Sequence, residues 1–364
     1  MKPSEKTCEL LIMHCQTYPQ LQIQDLFKFI YQSSFGCEHL ISSSETVTDY
    51  IQKEYNSISH HNKATIEPLD GGYCRVPLSY LDQGLYASTL GKLFYLSARK
   101  EANGMEALLQ KLNAVKDLIC HKQLPFALEE FEKAAKEWEA GGYPAIHHSE
   151  IFRQNYHPAY RVIAKEYVSF LPLLAELDKR LEAAKQLGTG NVKLAIEGGS
   201  ASGKTTLSRL LAKLYNCTVF HMDDFFLQPE QRTGERYAEV GGNVDRERFL
   251  TEVLIPLSKG EIVNYRKFDC STLKLGEAQK ITPSNLNVIE GVYAMHPDLS
   301  GYYDLSVYLE NSPKSQRERI LRRNSPEMVE LFFDKWIPLE NIYFEKMNVK
   351  ERCDIVISGC LADL

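Results

Sequence analysis

The stretch Gly198-Gly199-Ser200-Ala201-Ser202-Gly203-Lys204-Thr205 has the spacing G-x-x-x-x-G-K-[ST]. Immediately before it, Val192-Lys193-Leu194-Ala195-Ile196 is a short apolar run with strand character. Immediately after it, Leu207, Leu210, Leu211 and Leu214 fall on one face of a helix. Strand, glycine-rich turn and helix in this order form a phosphate cradle. The glycines let the backbone curl so that successive N–H groups converge on an anion, and the helix N-terminus adds positive potential at the same point. Lys204 brings a point charge to the β- and γ-phosphates of a nucleoside triphosphate, and the Thr205 hydroxyl is a magnesium ligand. The expected cofactors are therefore ATP and Mg2+. The expected nucleotide-binding residues are Gly198, Gly199, Ser200, Ala201, Ser202, Gly203, Lys204, Thr205 and Thr206. A glycine-rich turn that merely precedes a helix is the bland alternative, and three elements in register argue against it.

From the cradle to the end of the chain, apolar runs alternate with turns and helical patterns. The candidate strands are Val192–Glu197, Thr218–Met222, Leu286–Glu290, Asp304–Leu309 and Asp354–Ile357. All are short and nearly continuously apolar, as strands buried on both faces are. This half reads as α/β, a P-loop NTPase-type parallel sheet with flanking helices. The preceding half reads as a mostly α-helical domain. Leu85–Ala102, Met105–Cys120, Phe126–Trp138 and Tyr167–Leu187 carry apolar residues at helical spacing, and Asp70-Gly71-Gly72 within Ile66–Leu78 predicts a hairpin. The segment Gly188-Thr189-Gly190-Asn191 reads as a linker, which gives domains at 1–186 and 187–364. A length of 364 residues accords with two domains.

Composition narrows the function classes. The net charge of -6 argues against a protein that coats nucleic acid, because the phosphate backbone demands a basic surface. None of the nine cysteines stands in a C-x-x-C pair, and the N-terminal segment lacks the features of a secretion signal, so the expected setting is the cytoplasm. No apolar stretch approaches the ~20 residues of a membrane span. The expected partner is a small-molecule acceptor, and the reading leaves room for a homodimer.

P-loops serve switches, motors and kinases, so the rest of the domain must discriminate. No guanine-reading N-K-x-D segment follows the cradle. The strand Asn287-Val288-Ile289-Glu290 ends in one carboxylate followed by Gly291, and Glu290 is expected to hold magnesium with Thr205. In Val219-Phe220-His221-Met222-Asp223-Asp224-Phe225-Phe226, two carboxylates fall at the C-terminal edge of a buried strand, where open α/β sheets bind ligands. A hydroxyl acceptor needs a carboxylate that orients its oxygen and takes its proton. Asp223 is the candidate base, while Asp224 serves equally well as a helix cap.

GGSASGKTT, HMDDFF, GGNVDRERF and VIEGVY, in this order, resemble the uridine kinase family of P-loop kinases, which includes nicotinamide riboside kinase. The resemblance covers about residues 190–360 and leaves the first half untouched. It implies an ATP-dependent phosphotransferase acting on an alcohol. It also implies that Asp223 is the catalytic base, that Asp245 contacts acceptor hydroxyls, that Glu290 aids magnesium binding, and that an arginine-bearing lid helix closes over the phosphates. Arg319, Arg322 and Arg323, at i, i+3 and i+4, match that lid and share a helix face; they join Lys204 as candidate catalytic groups. The chain departs from the family at Asn264-Tyr265-Arg266-Lys267-Phe268-Asp269, where the base-reading pattern is absent, and at Glu318 in the lid. Tyr265 and Arg266 are candidate substrate contacts, and the basic pair Arg266-Lys267 points to an acidic or phosphorylated acceptor.

In the first half, two polar stretches stand out, Tyr31–His39 and Ser149–Arg161. A metal site from Cys37, His39 and the pairs His60-His61 or His147-His148 lacks the spacing of a zinc module. A phosphate pocket on Arg153 and Arg161 competes with simple polar packing between helices. Two functions emerge: a metabolite kinase, or an ATP-binding regulator whose helical domain binds a protein or RNA partner. An acceptor base favours the first.

Overall fold

The computed structural model describes residues 5–37, 44–58, 65–98, 103–188 and 190–358. The chain forms two compact units, Met1–Leu171 and Pro172–Leu364.

Helices dominate the first unit, among them Glu5–Thr17, Ile23–Phe35, Ala87–Ser97, Gly104–Cys120 and Leu128–Ala140. The expected hairpin is present as β1 (Glu67–Leu69) and β2 (Tyr73–Pro77), antiparallel through Leu69↔Tyr73. Gly71 carries φ +78, and a Cβ there would meet the Ser33 carbonyl oxygen at 2.1 Å, so only glycine fits this turn. A third strand, β3 (Tyr160–Ala164), pairs antiparallel with β2. Sequence reading missed β3 because its first residues belong to a polar stretch; it becomes a strand by covering β2, every residue of which is buried. The single helix expected over Tyr167–Leu187 is two, Lys165–Val168 and Leu171–Leu187. Pro172 explains the restart, since a missing N–H is tolerated only in a helix's first turn.

The second unit is built on five strands in the spatial order β10-β9-β4-β8-β5, all parallel. In chain order these are β4 (Val192–Glu197), β5 (Cys217–His221), β8 (Leu286–Glu290), β9 (Leu305–Leu309) and β10 (Ile355–Ile357). Between β5 and β8 the chain makes a separate antiparallel ribbon, β6 (Val263–Asp269) with β7 (Lys274–Ile281). β8 is buried throughout and lies between β4 and β5. Its core neighbours include Phe220, Phe225, Phe249 and Tyr343, each fully or almost fully buried. The parallel arrangement brings the C-terminal ends of β4, β5 and β8 to one edge. Among the described residues, no helix is long and apolar enough to cross a membrane.

The two tryptophans fall one in each unit, Trp138 and Trp336. Trp138 stacks on Phe27 with ring centroids 4.7 Å apart. Phe27→Ala is expected to cost about 3–5 kcal/mol through the lost contacts and the cavity left behind. In a Trp336→Phe background, the denaturant midpoint reported by Trp138 fluorescence should fall accordingly.

Candidate active site

The cradle starts where β4 ends. Gly198 has φ +142, and a Cβ there would lie 2.5 Å from the Leu309 carbonyl oxygen at the end of β9. Gly203, in the left-handed region, caps the helix Lys204–Leu214. Lys204 Nζ donates to the carbonyls of Gly198 (2.7 Å) and Gly199 (3.0 Å), so the ammonium spans the mouth of the loop.

Beneath the loop, Glu197 is fully buried. Its carboxylate accepts from Gly198 N–H (3.0 Å), Met295 N–H (2.9 Å) and the Tyr343 hydroxyl (3.0 Å). Burial pushes its pKa up to about 7, against those three donors and the Lys204 charge.

Loop and sheet edge open into one cavity of about 550 Å3. Of the residues expected to bind nucleotide, Ser200, Ala201, Ser202, Gly203, Lys204, Thr205 and Thr206 line it, while Gly198 and Gly199 form the turn behind. Asp223, Glu290, Arg319, Arg322 and Arg323 line the same cavity. Asp223 follows β5 in a short 3-10 turn, Met222–Phe225. Its pKa is raised, first by desolvation within the cleft and then by Glu290 and Asp224, while Lys204 and His221 oppose the rise. Asp224 does not cap that turn, which begins at His221; its carboxylate pairs with Lys267 at 3.0 Å.

Glu290 closes β8 and is held from two sides. Thr205 Oγ1 donates to its Oε1 (3.2 Å), and His221 Nδ1 donates to the same oxygen (2.6 Å). Burial would raise the Glu290 pKa, but His221 and Lys204 lower it; the bond to Glu290 raises that of His221. A hydroxyl beside an ionised carboxylate is a hard oxygen pair that suits Mg2+. The two residues expected to hold that ion are therefore adjacent.

The helix Pro313–Arg323 is tied to the loop by Gln316 Nε2 to Ser200 O (2.9 Å) and Arg319 Nη1 to Ala201 O (2.9 Å). The remaining candidates stand apart from the cavity lining. Asp245 is buried, caps the short helix Arg246–Phe249, and accepts from Arg248 N (3.1 Å) and Nε (3.3 Å). Tyr265 is buried, stacked on Phe225 at 5.4 Å, with its hydroxyl 3.4 Å from Asp224 Oδ2. Arg266 alternates to the exposed face of β6, and Lys267 is committed to Asp224. Neither residue of the basic pair lines this cavity. Asn243 and Val244, just before Asp245 in the chain, do reach its lining.

Sequence reading missed three groups. His221 stands inside the quoted HMDDFF run, but its role follows from the strand pairing His221↔Glu290. Glu197 looked like the last residue of a buried strand. Glu340, on the helix Ile337–Lys346, carries no local signal at all; its carboxylate accepts from Ser200 N–H (2.8 Å) and Ser200 Oγ (2.5 Å) and lines the cavity. Burial raises the Glu340 pKa, and the two Ser200 bonds oppose the rise.

Strand, cradle and lid helix define a P-loop kinase domain. Residues 194–326 match the model of the Phosphoribulokinase / Uridine kinase family. A curated relative, the bifunctional alpha-galactosidase/sucrose kinase AgaSK of Mediterraneibacter gnavus, is 28% identical over 214 residues. That match takes in 51% of this chain and 22% of the relative's length, so the chain spans less than a quarter of that relative. Among solved structures, a possible uridine kinase from Bacillus stearothermophilus is 23% identical with a TM-score of 0.37, covering 50% of this chain and 99% of that one. Deoxyadenosine kinase from M. mycoides with bound dATP is 18% identical with a TM-score of 0.26, covering 47% and 93%.

Glu197 gives a pH signature. Its native pKa of about 7 exceeds the ordinary glutamate value of 4.5, so between those values the native state holds a proton that the unfolded chain has released. Stability from this group is thus full below that window and falls as pH rises through it, by about 3 kcal/mol at most. Glu197→Gln should flatten the fall. The check is the denaturant midpoint of both proteins at about pH 5 and about pH 8.

Proposed function

We propose that this chain transfers the γ-phosphoryl group of ATP, with Mg2+, to a hydroxyl of a small metabolite. The observation that carries this reading is that Asp223 opens into the same cavity as Lys204, Thr205 and three arginines. A pure nucleotide switch has no use for a carboxylate that shares one cavity with its phosphate loop.

Each group has a task in this scheme. The loop's N–H groups and Lys204 bind the phosphates and fix their position. Thr205 and Glu290 would hold a magnesium ion, which would neutralise phosphate charge. His221 fixes the orientation of Glu290, as partners of metal-binding carboxylates do. Asp223 orients the acceptor hydroxyl and accepts its proton; its raised pKa suits a base that must be ionised yet basic near neutrality. Arg319, Arg322 and Arg323 place positive charge where negative charge builds on the transferring group.

Neutral acceptors, nucleosides or sugars, fit best, because the basic pair Arg266-Lys267 lies outside the cavity lining and the one cation it contributes to the area is already paired. The kinship with a sucrose kinase adds weight to a sugar hydroxyl.

The deciding experiment is ADP release with ATP and Mg2+ against neutral nucleosides, neutral sugars and sugar phosphates, with Lys204→Ala as control. Stimulation by a neutral acceptor, absent in the control, is the expected result. ATP binding without turnover on any acceptor would favour the regulator reading instead. Asp223→Asn should lower kcat by roughly 10²–10⁴-fold while leaving ATP affinity within a few-fold, by titration calorimetry. His221→Asn should raise the Mg2+ concentration for half-maximal rate by about tenfold, because Glu290 loses its anchor.

A further inference from the structure

After the lid helix, Phe332-Phe333-Asp334-Lys335-Trp336-Ile337-Pro338 sits in the middle of one continuous helical segment. Pro326–Leu331 runs into Phe332–Trp336, which runs into Ile337–Lys346. The central piece is a π turn, in which Ile337 N–H donates to Phe332 O, five residues back. Pro338 accounts for it. A proline has no N–H to give and its ring crowds the carbonyl four residues earlier, here that of Asp334, so the helix widens just before it. Such π turns are frequent at functional sites. This one presents Phe332, Trp336 and Glu340, spaced four apart, and all three line the kinase cavity.

Two of the three are already engaged. Glu340 holds Ser200 of the phosphate loop. Phe332 carries the Arg323 guanidinium over its ring, 5.8 Å from the centroid. Trp336 is half-buried and stands edge-on to Phe332, with centroids 4.8 Å apart and planes at 85°. Next to it, Lys335 Nζ lies over the Tyr237 ring at 5.1 Å. Tyr237 belongs to the helix Gly234–Ala238, a few residues before Asn243 and Val244 on the cavity wall. Val244 in turn bridges Phe226, the residue that follows the Asp223 turn. The turn bearing Trp336 is therefore tied on one side to a lid arginine and on the other to the segment that packs against the Asp223 turn.

The chemistry of the wall narrows what can lie against this indole. Asp223, Glu290 and Glu340 put three carboxyl groups on it. Its cations are Lys204 of the phosphate loop and the arginines of the lid helix, where ATP phosphates would use them. An acidic acceptor would meet the carboxyls without a spare cation. An open-chain polyol would offer Asp223 a hydroxyl but give the indole no flat face to cover. A neutral ring that carries a hydroxyl meets both requirements, since small-molecule sites combine aromatic walls with a few placed polar groups.

We propose that Trp336 selects the acceptor: its indole stacks on a neutral ring and so holds that ring's hydroxyl for transfer, an assignment that rests on the kinase reading. The ring of a free sugar and the base of a nucleoside share this stacking chemistry.

The test uses the full chain with Mg2+ and a non-hydrolysable ATP analogue, titrated with D-glucose, D-ribose or uridine, and with D-sorbitol as the open-chain control. At least one ring should change the tryptophan emission saturably, and the change should vanish in Trp336→Phe. Response to glucose or ribose without uridine assigns a sugar ring; response to uridine assigns a nucleoside. In calorimetry, Trp336→Leu should weaken that probe roughly tenfold while the ATP analogue binds within about twofold of the unsubstituted chain. With ATP and the same acceptor, Trp336→Leu should raise KM by about the same factor and leave kcat within a few-fold, whereas Trp336→Phe, which keeps a flat face, should stay close to the unsubstituted KM. If Trp336→Leu fails to fold by circular dichroism, the emission change decides. Four results would each overturn the assignment: silence from all three rings, sorbitol binding as tightly as the best ring, loss of the ATP analogue equal to the loss of the ring, or an unchanged KM in folded Trp336→Leu. ADP release with that unchanged KM would leave the kinase reading standing. Ring binding through Trp336 without ADP release would sink the kinase reading and keep the ring contact.

Discussion

The C-terminal site depends on where β8 is inserted in the sheet. β8 pairs in parallel with β4 on one side and β5 on the other, through Ile196↔Glu290 and His221↔Glu290. Those two registers put the start of the phosphate loop, a carboxylate and an imidazole side by side at one edge. Thr205 then reaches Glu290 from the first turn of the helix that the loop begins. Slipping β8 by one residue would turn Glu290 to the opposite face, because strand side chains alternate. The dense apolar packing around Phe220, Phe225 and Ile289 is what makes such a slip expensive.

The carboxyls of this unit are set by both burial and partners. Glu197, beneath the loop, is so completely enclosed that three donors do not keep its pKa in the ordinary range. Glu290, with a close cation-capable partner, stays below its ordinary value. Asp223, on the cavity wall, is raised by desolvation and restrained by Lys204. Three carboxyls of one unit are thus pushed in different directions by their surroundings.

The two units solve the burial of charge differently. The second keeps its charges at a strand edge facing a cavity. The first carries Arg75, Glu67, His14, Asp25 and His148 within its core and joins them by hydrogen bonds through Gln32 and Tyr160. Fully joined, such a network fixes a unique packing.

The sequence by itself determined the cradle, because its chemistry is local: glycines, lysine and threonine at fixed spacing between a strand and a helix. It also determined the five strands of the sheet, since apolar runs of that length have little else to become, and it placed Asp223 and Glu290 at strand ends. Asp245 and Tyr265 show the limit. Their residue types fit acceptor contacts, and only the fold shows that one caps a helix, the other packs on Phe225, and neither lines the cavity. The roles of His221 and Glu340 were decided only by tertiary structure, because each depends on a partner 69 or 140 residues away. The same holds for Arg75, which meets Gln32 across 43 residues. Spacing reveals what neighbours in the chain do together; strand order and packing alone decide which distant polar groups share a cavity.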